Sequence, residues 1–267
     1  MARQVIRKDP AYAAKANMPD YDRERASFNW EAARATLHGL PGGKLNIAHE
    51  ALDRHLANGN ADKTALRWIS KDGEPTDFSY RDLIGQTARF ANVLRTIGVK
   101  KGERVYSLLG RVPELYITAL GTLKAGSVFC PMFSAFGPEP IHSRMEIGSG
   151  KVLVTTKALY RRKVAGIRDR LPELKDVLLV DGDGSIEGTC NLADLMKDAS
   201  PDFPVEPMDP EDMALLHFTS GTTGKPKGAV HVHGAVVAHK TTGRIALDLR
   251  EEDPFWCTAD PGWVTGT

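Results

Sequence analysis

Between Arg104 and Val180 the chain alternates short apolar runs with amphipathic stretches, and no other feature restricts its fold so tightly. Arg104–Leu109, Ser127–Met132, Lys151–Thr155 and Val177–Val180 read as strands. Pro113 and Gly126 frame a helix carrying Leu115, Ala119 and Leu123. Pro138–Ile147 and Ala158–Arg170 supply the next two helices, and Asp181-Gly182-Asp183-Gly184 is a turn. Strands that alternate with helices of this length form βαβ units, so an α/β fold with mainly parallel sheets flanked by helices is predicted. Such sheets bind ligands outside the carboxyl ends of their strands.

The segments before this stretch are less regular. Residues 1–28 are polar and mixed, and read as a surface arm, partly disordered. Asn29 is placed to cap a short helix from Glu31 to Leu37, with Gly39 as its stop. Leu45–Leu56 puts Leu45, Ala48, Leu52 and Leu56 on one helical face, with Gly59 ending it and Asp53, Arg54 and His55 on the solvated side. Thr64–Ile69 and Thr76–Phe78 flank an Asp72-Gly73 turn and predict a β-hairpin. Ser79 with Asp82 predicts an N-cap pair opening a long helix that Gly98 stops. Ala199–Asp212, with four prolines and five acids, reads as a linker. The organisation expected is an arm with helices (1–60), a first α/β subdomain (61–198), the linker (199–212), and the start of a nucleotide-binding α/β subdomain (213–267).

The second of these subdomains opens on Leu215–Val230: an apolar strand, a loop rich in glycine and hydroxyls, and a second apolar run. Glycines let backbone N–H groups approach an anion without a Cβ in the way. Thr219, Ser220, Thr222 and Thr223 supply hydroxyl donors, while Lys225 and Lys227 supply positive charge. Gly221 and Gly224 complete a loop suited to phosphate. It is not a Walker loop, because Thr219 stands where the first glycine belongs and Pro226 follows Lys225 where Ser or Thr would hold magnesium.

Thr219–Gly228 resembles the phosphate-loop signature of the adenylate-forming superfamily, which includes acyl-CoA synthetases, peptide adenylation domains and luciferases. Trp256–Gly266 resembles the block marking the acetyl-CoA synthetase branch, and Leu45–His55 resembles that branch's N-terminal segment. The resemblance implies an ATP-dependent, AMP-forming acid–CoA ligase with magnesium accompanying the nucleotide and coenzyme A as acyl acceptor. It implies that residues 219–225 and Lys227 meet the phosphates, and that Trp263, Val264 and Thr265 read a short acid. Arg161 and Arg162 are implied as candidates for the 3′-phosphate of coenzyme A. Ser134 and Ala135 depart from the glycines that relatives place beside the pantetheine. Two alternatives stand: a ligase for a medium-chain or aryl acid, and a non-catalytic nucleotide-binding module.

The family's later adenine and ribose segments, hinge and C-terminal lysine domain have no counterpart in these residues. An incomplete N-terminal part of the large domain is therefore expected, inactive by itself and self-associating through an exposed sheet edge. No residue is assigned a catalytic role. In adenylation the nucleophile is the substrate carboxylate, so no Ser-His-Asp triad is needed.

Composition narrows the remaining classes. With 35 Lys plus Arg against 34 Asp plus Glu, a net charge of +1 argues against a nucleic-acid or membrane partner and leaves small-molecule substrates. Cys130, Cys190 and Cys257 are too scattered for a disulfide scaffold or zinc site and fit a reducing compartment. The N-terminus has no apolar signal region, so a cytoplasmic protein is the expectation. His231 and His233 share one strand face, and are read as packed or hydrogen-bonded rather than metal ligands.

Overall fold

The structure is a computed structural model that describes residues 9–220, 225–263 and 266. It comprises two compact units, Met1–His38 with Ala235–Cys257, and Gly39–Gly234 with Thr258–Thr267. In the smaller unit α1 (Pro10–Ala13), α2 (Tyr21–Ser27) and α3 (Trp30–Ala35) begin at Asp9, Asp20 and Asn29, whose side chains accept first-turn amides. The Asn29 cap was expected; α1 and α2 were not. From residue 9 on, the supposed arm is tied down, because Asn17 bonds the same unit's second segment. Its N–H donates to Asp248 Oδ1 at 2.7 Å, and its amide group donates to the carbonyls of Arg244 and Leu249.

The larger unit departs at once from the expected Leu45–Leu56 helix. Leu45 forms an antiparallel bridge with Met208. Asn46 Oδ1 accepts from Ala48 N, and a π turn at His49–Asp53 precedes α4 (Arg54–Ala57). Ala48 and Leu52 are buried as predicted, but Leu56 is exposed. Asp53, Arg54 and His55 are not a solvated face. Asp53 accepts from the buried Lys124 ammonium at 2.7 Å, Arg54 pairs with Glu50, and the His55 ring stacks on Tyr80 at 4.2 Å. Sequence spacing could not reveal these partners, since Lys124 lies 71 positions away.

The predicted hairpin forms from β1 (Thr64–Ile69) and β2 (Pro75–Ser79), paired antiparallel. Ser79 and Asp82 complete a reciprocal capping box at the head of α5 (Tyr80–Thr96). The alternating stretch follows as β3 (Arg104–Leu108), α6 (Pro113–Lys124), β4 (Val128–Pro131), α7 (Pro138–Ile147), β5 (Val152–Thr155), α8 (Lys157–Leu159) and β6 (Asp176–Leu179). The helix predicted over 158–170 is α8 continued by a π turn and a 3₁₀ turn, so its bonding changes along its length. A short β7 (Cys190–Asn191) and α9 (Leu192–Asp198) add a further parallel crossover that the sequence reading left out.

The sheet runs β7-β6-β5-β3-β4-β8-β9, where β8 is Met213–Ser220 and β9 is Pro226–Val232; α10 (Val236–Ile245) belongs to the smaller unit. All neighbours are parallel except the β8–β9 hairpin. Side chains alternate between two cores as strand geometry requires. Val105, Phe129, Val152, Val154 and Leu178 face α5 and α6 residues such as Phe90, Leu94, Leu115 and Leu123. Tyr106, Cys130, Leu153, Val177 and Leu179 face Ile141 and Met145 of α7 with Tyr160 and Val164. At the contact of α5 with α6, a Cβ on Gly121 would lie 2.8 Å from the Phe90 ring, so only glycine fits.

The stretch 199–212 does not divide the sheet: β8 lies beside β4, with Phe129 opposite Leu215. The segment is bonded along its length. Asn92 donates to the carbonyls of Ser200 and Asp202, Asn46 to that of Glu206, and Glu206 N to that of Lys124. The compact units are consequently cut near residues 38, 234 and 257 rather than within 199–212. Among the described residues no helix is long and apolar enough to cross a membrane.

Candidate functional site

Because β8 runs parallel to β4, the β8–β9 connection emerges at the carboxyl end of the parallel sheet, where ligands of such folds bind. Antiparallel pairing carries the hairpin to its tip: Phe218 faces Gly228, Thr219 faces Lys227 and Ser220 faces Pro226. Lys227 thus belongs to β9 rather than to the loop. Thr219, Lys225 and Lys227 are exposed. Gly221, Thr222, Thr223 and Gly224 lie outside the described residues, as do Val264 and Thr265.

The base of the hairpin is anchored. Leu216 and Phe218 join the core around Tyr106, with the Phe218 ring 6.4 Å from that of Tyr106, and the Tyr106 hydroxyl donates to Arg144 O at 2.8 Å. His217 is buried, and burial followed by the nearby His231 holds its pKa down to about 4. His233 is fully buried and accepts from Ile47 N at 3.1 Å; burial lowers its pKa to about 4 against the opposing pull of Asp212. Both imidazoles are therefore neutral at pH 7. The packed, hydrogen-bonded histidine read from the sequence holds for His233, while the His231 ring lies 6.0 Å from His217. Among the described residues no group of three or more His, Cys, Asp or Glu side chains converges on a metal position.

The second feature at this sheet end is a turn from Thr258 to Trp263, seated against the loop that leaves β4. Asp260 organises it. Its carbonyl accepts from Trp263 N at 2.9 Å, Oδ1 accepts from Gly262 N at 2.8 Å, and Oδ2 accepts from Ser134 Oγ at 2.7 Å. Gly262 passes so close to the β4 loop that a Cβ there would sit 2.1 Å from Met132 O. The Trp263 ring meets Phe133 at 5.6 Å, and Phe133 meets Phe136 edge-on at 5.5 Å. Arg111 donates to Thr258 O at 2.5 Å and its own carbonyl accepts from Trp68 Nε1, which ties the turn to β1.

In the basic run Tyr160-Arg161-Arg162-Lys163, Arg161 and Arg162 are exposed, and Arg162 Nε donates to Ala158 O. Lys163, the last residue of that run, instead donates to Ser134 O at 2.6 Å. Arg111, Ser134, Lys163 and Asp260 were thus missed as partners. Asp260 and Ser134 both stand inside stretches the sequence marked, but 126 positions separate them and no local pattern joins them.

Residues 53–267 match the family described as AMP-binding enzyme. The chain is 40% identical over 262 residues to acetyl-coenzyme A synthetase of Bacillus subtilis (strain 168), covering 97% of itself and 45% of that protein. It is 38% identical over 240 residues to acetyl-coenzyme A synthetase of Methanothrix thermoacetophila, covering 84% of itself and 36% of the relative. It superposes on a Brucella canis acyl-CoA synthetase with a TM-score of 0.83 at 33% identity, over 92% of this chain and 44% of that one. An anthranilate CoA ligase bound to anthranoyl-AMP, at 24% identity and a TM-score of 0.68, shares the fold. The chain spans less than half the length of these relatives. With its glycine- and hydroxyl-rich hairpin tip at the carboxyl end of a mainly parallel sheet, and with this likeness along its length, the chain belongs to the AMP-binding enzyme family.

Proposed function

We propose that the protein carrying these residues joins a short carboxylic acid to coenzyme A in two steps. The acid's carboxylate attacks the α-phosphorus of ATP, forming an acyl-adenylate as the bond to pyrophosphate breaks. The thiol of coenzyme A then attacks the acyl carbon, giving the thioester as AMP leaves and the thiol proton passes to solvent. Both relatives named as acetyl-coenzyme A synthetase support this reading, as does the position of the β8–β9 tip. In this reading Thr219, Ser220, Gly221, Thr222, Thr223, Gly224, Lys225 and Lys227 hold the β- and γ-phosphates. N–H, hydroxyl and ammonium groups there would offset charge gained by the leaving pyrophosphate.

Magnesium would travel with the nucleotide and spread the phosphate charge. The described residues offer no ligand cluster of their own for it, and no step is routed through it. Trp263, Val264 and Thr265 would wall the acyl pocket. Bulk at that wall separates acids differing by a methylene by only ~1–3 kcal/mol, so preference for the shortest acid would be graded. Arg161 and Arg162 are exposed and free to meet the 3′-phosphate of coenzyme A by bidentate contact.

The observation that carries the proposal is the exposed Thr219–Lys227 pair at the tip of an otherwise anchored hairpin. Acid-dependent exchange of pyrophosphate into ATP by the complete gene product, with acetate, longer and aryl acids in parallel, tests it. Lys225→Ala is expected to weaken ATP binding about tenfold, the scale of one charge-assisted hydrogen bond. Absence of exchange with every acid tested, alongside ATP binding that survives, would instead support a nucleotide-binding module.

A further inference from the structure

We propose that the hydrogen bond from Ser134 to Asp260 is a latch that positions Trp263 and so sets which acid the site accepts. The inference rests on the acid–CoA ligase reading above for its substrate, and on geometry alone for the latch. Among the described residues Asp260 accepts three hydrogen bonds, which serve two tasks. Two of them, from Gly262 N to Oδ1 and from Trp263 N to the carbonyl, shape the turn itself. The third, from Ser134 Oγ to Oδ2 at 2.7 Å, is the only one of the three that leaves the turn, and it crosses to the loop beyond β4.

Ser134 is held at both ends. Its hydroxyl grips Asp260, and its carbonyl accepts from Lys163 at 2.6 Å. Lys163 follows α8 in the π turn and is itself half-buried, so the latch is backed by a helix packed on the sheet. The consequence falls on Trp263. Its side chain is 51% exposed, so burial does not fix it, yet its ring lies 5.6 Å from Phe133, one residue before Ser134. A ring this open keeps its place because the turn below it is tied down. The bond is partly buried, and a hydroxyl-to-carboxylate bond is stronger than one between neutral groups, which suits it to that task.

Ser134 and Asp260 are positioning residues: nothing requires either to touch the reacting atoms. Removing the hydroxyl takes away the turn's side-chain hydrogen bond to the β4 loop while leaving Asp260's two internal bonds, the Arg111 bond to Thr258 and the packing of Gly262 against Met132. The Trp263 ring then has room to swing, and the wall it forms against longer acids softens. Discrimination by acid length should fall, while ATP handling at the hairpin tip should not change.

The experiment uses the complete gene product and its Ser134→Ala, Ser134→Thr and Asp260→Asn variants. Pyrophosphate exchange is measured with acetate, propionate, butyrate and hexanoate, and backbone hydrogen exchange over residues 258–266 is followed without substrates. For Ser134→Ala, the preference for acetate over hexanoate in kcat/KM is expected to fall about tenfold, carried by the KM values of the acids. The KM for ATP should stay within about twofold, exchange over 258–266 should quicken, and Ser134→Thr should restore both readouts. Combining Ser134→Ala with Asp260→Asn should cost less than the sum of the two, since both act on the same bond: the first removes it and the second replaces its charged acceptor by a neutral amide. If Ser134→Ala slows all acids equally, or leaves both selectivity and hydrogen exchange at the parent's values, the proposal is overturned. A parent that activates no acid overturns the ligase reading and acid selection together. The hydrogen-exchange arm then separately decides whether the latch exists, and unchanged exchange sinks that as well.

Discussion

β5 and β9 belong to one sheet and are built on opposite plans. β5 lies between β3 and β6, and all four of its residues, Val152–Thr155, are buried. β9 pairs with β8 alone among the described strands, and none of its residues is buried. One strand is held by apolar area removed from water on both faces, the other by ladder hydrogen bonds and its partner's anchors. The difference teaches where each kind of work is done. A strand buried on both sides has no group left to offer a ligand. An edge hairpin rooted by Leu216 and Phe218 can present Thr219, Lys225 and Lys227 without weakening the core.

That contrast breaks if substitutions in the two strands cost alike. Leu153→Ala, at a fully buried site, is expected to lower unfolding free energy by about 4 kcal/mol, read from urea midpoints. Asp53→Ala should cost about 3 kcal/mol, because it strands the Lys124 ammonium, which is 1% exposed and whose pKa burial already depresses against the pull of Asp53. Replacing Lys124 by Met in the same background should recover most of that loss. If Asp53→Ala alone is neutral, the pair lies outside the supporting core.

The hairpin's own root supplies the next test. His217 and His233 have pKa values near 4 in the folded chain against 6.5 for the free side chain. Between these values the unfolded chain binds protons that the folded chain refuses, so stability falls as pH falls. Stability should be full above about pH 6.5 and decline towards pH 4, with each histidine contributing roughly 2 kcal/mol of loss between pH 7 and pH 5. Urea midpoints at the two pH values measure this, and His233→Gln should remove its share of the slope. At the hairpin's outer face Val230→Ala, 51% exposed, and Lys225→Ala should change stability by less than about 0.5 kcal/mol. A larger effect from either would mean that the tip supports the fold.

Legibility followed the range of the interactions. The capping box of Ser79 and Asp82, the Asn29 cap and the β1–β2 turn are settled within a few residues and were read correctly. The short β7 and α9 carry too little periodicity to register. Ala199–Asp212 has the composition of a linker, yet Asn46 and Asn92 satisfy its carbonyls from positions more than a hundred residues away. The glycine- and hydroxyl-rich loop was visible as a string of residue types, whereas the Asp260 turn gains its partner only when the chain folds.

The sequence by itself determined the alternation of strands and helices, hence the parallel sheet, and the hydroxyl- and lysine-bearing tip at its carboxyl end. Those features depend on periodicity and on short runs of residue types, which are local. Only the tertiary structure decided that β8 continues the sheet beside β4, that Lys124 meets Asp53, and that Ser134 holds Asp260. The physical reason is the same in each case. A hydrogen bond or ion pair between distant segments leaves no trace in either one until packing brings donor and acceptor within 3 Å or so of each other.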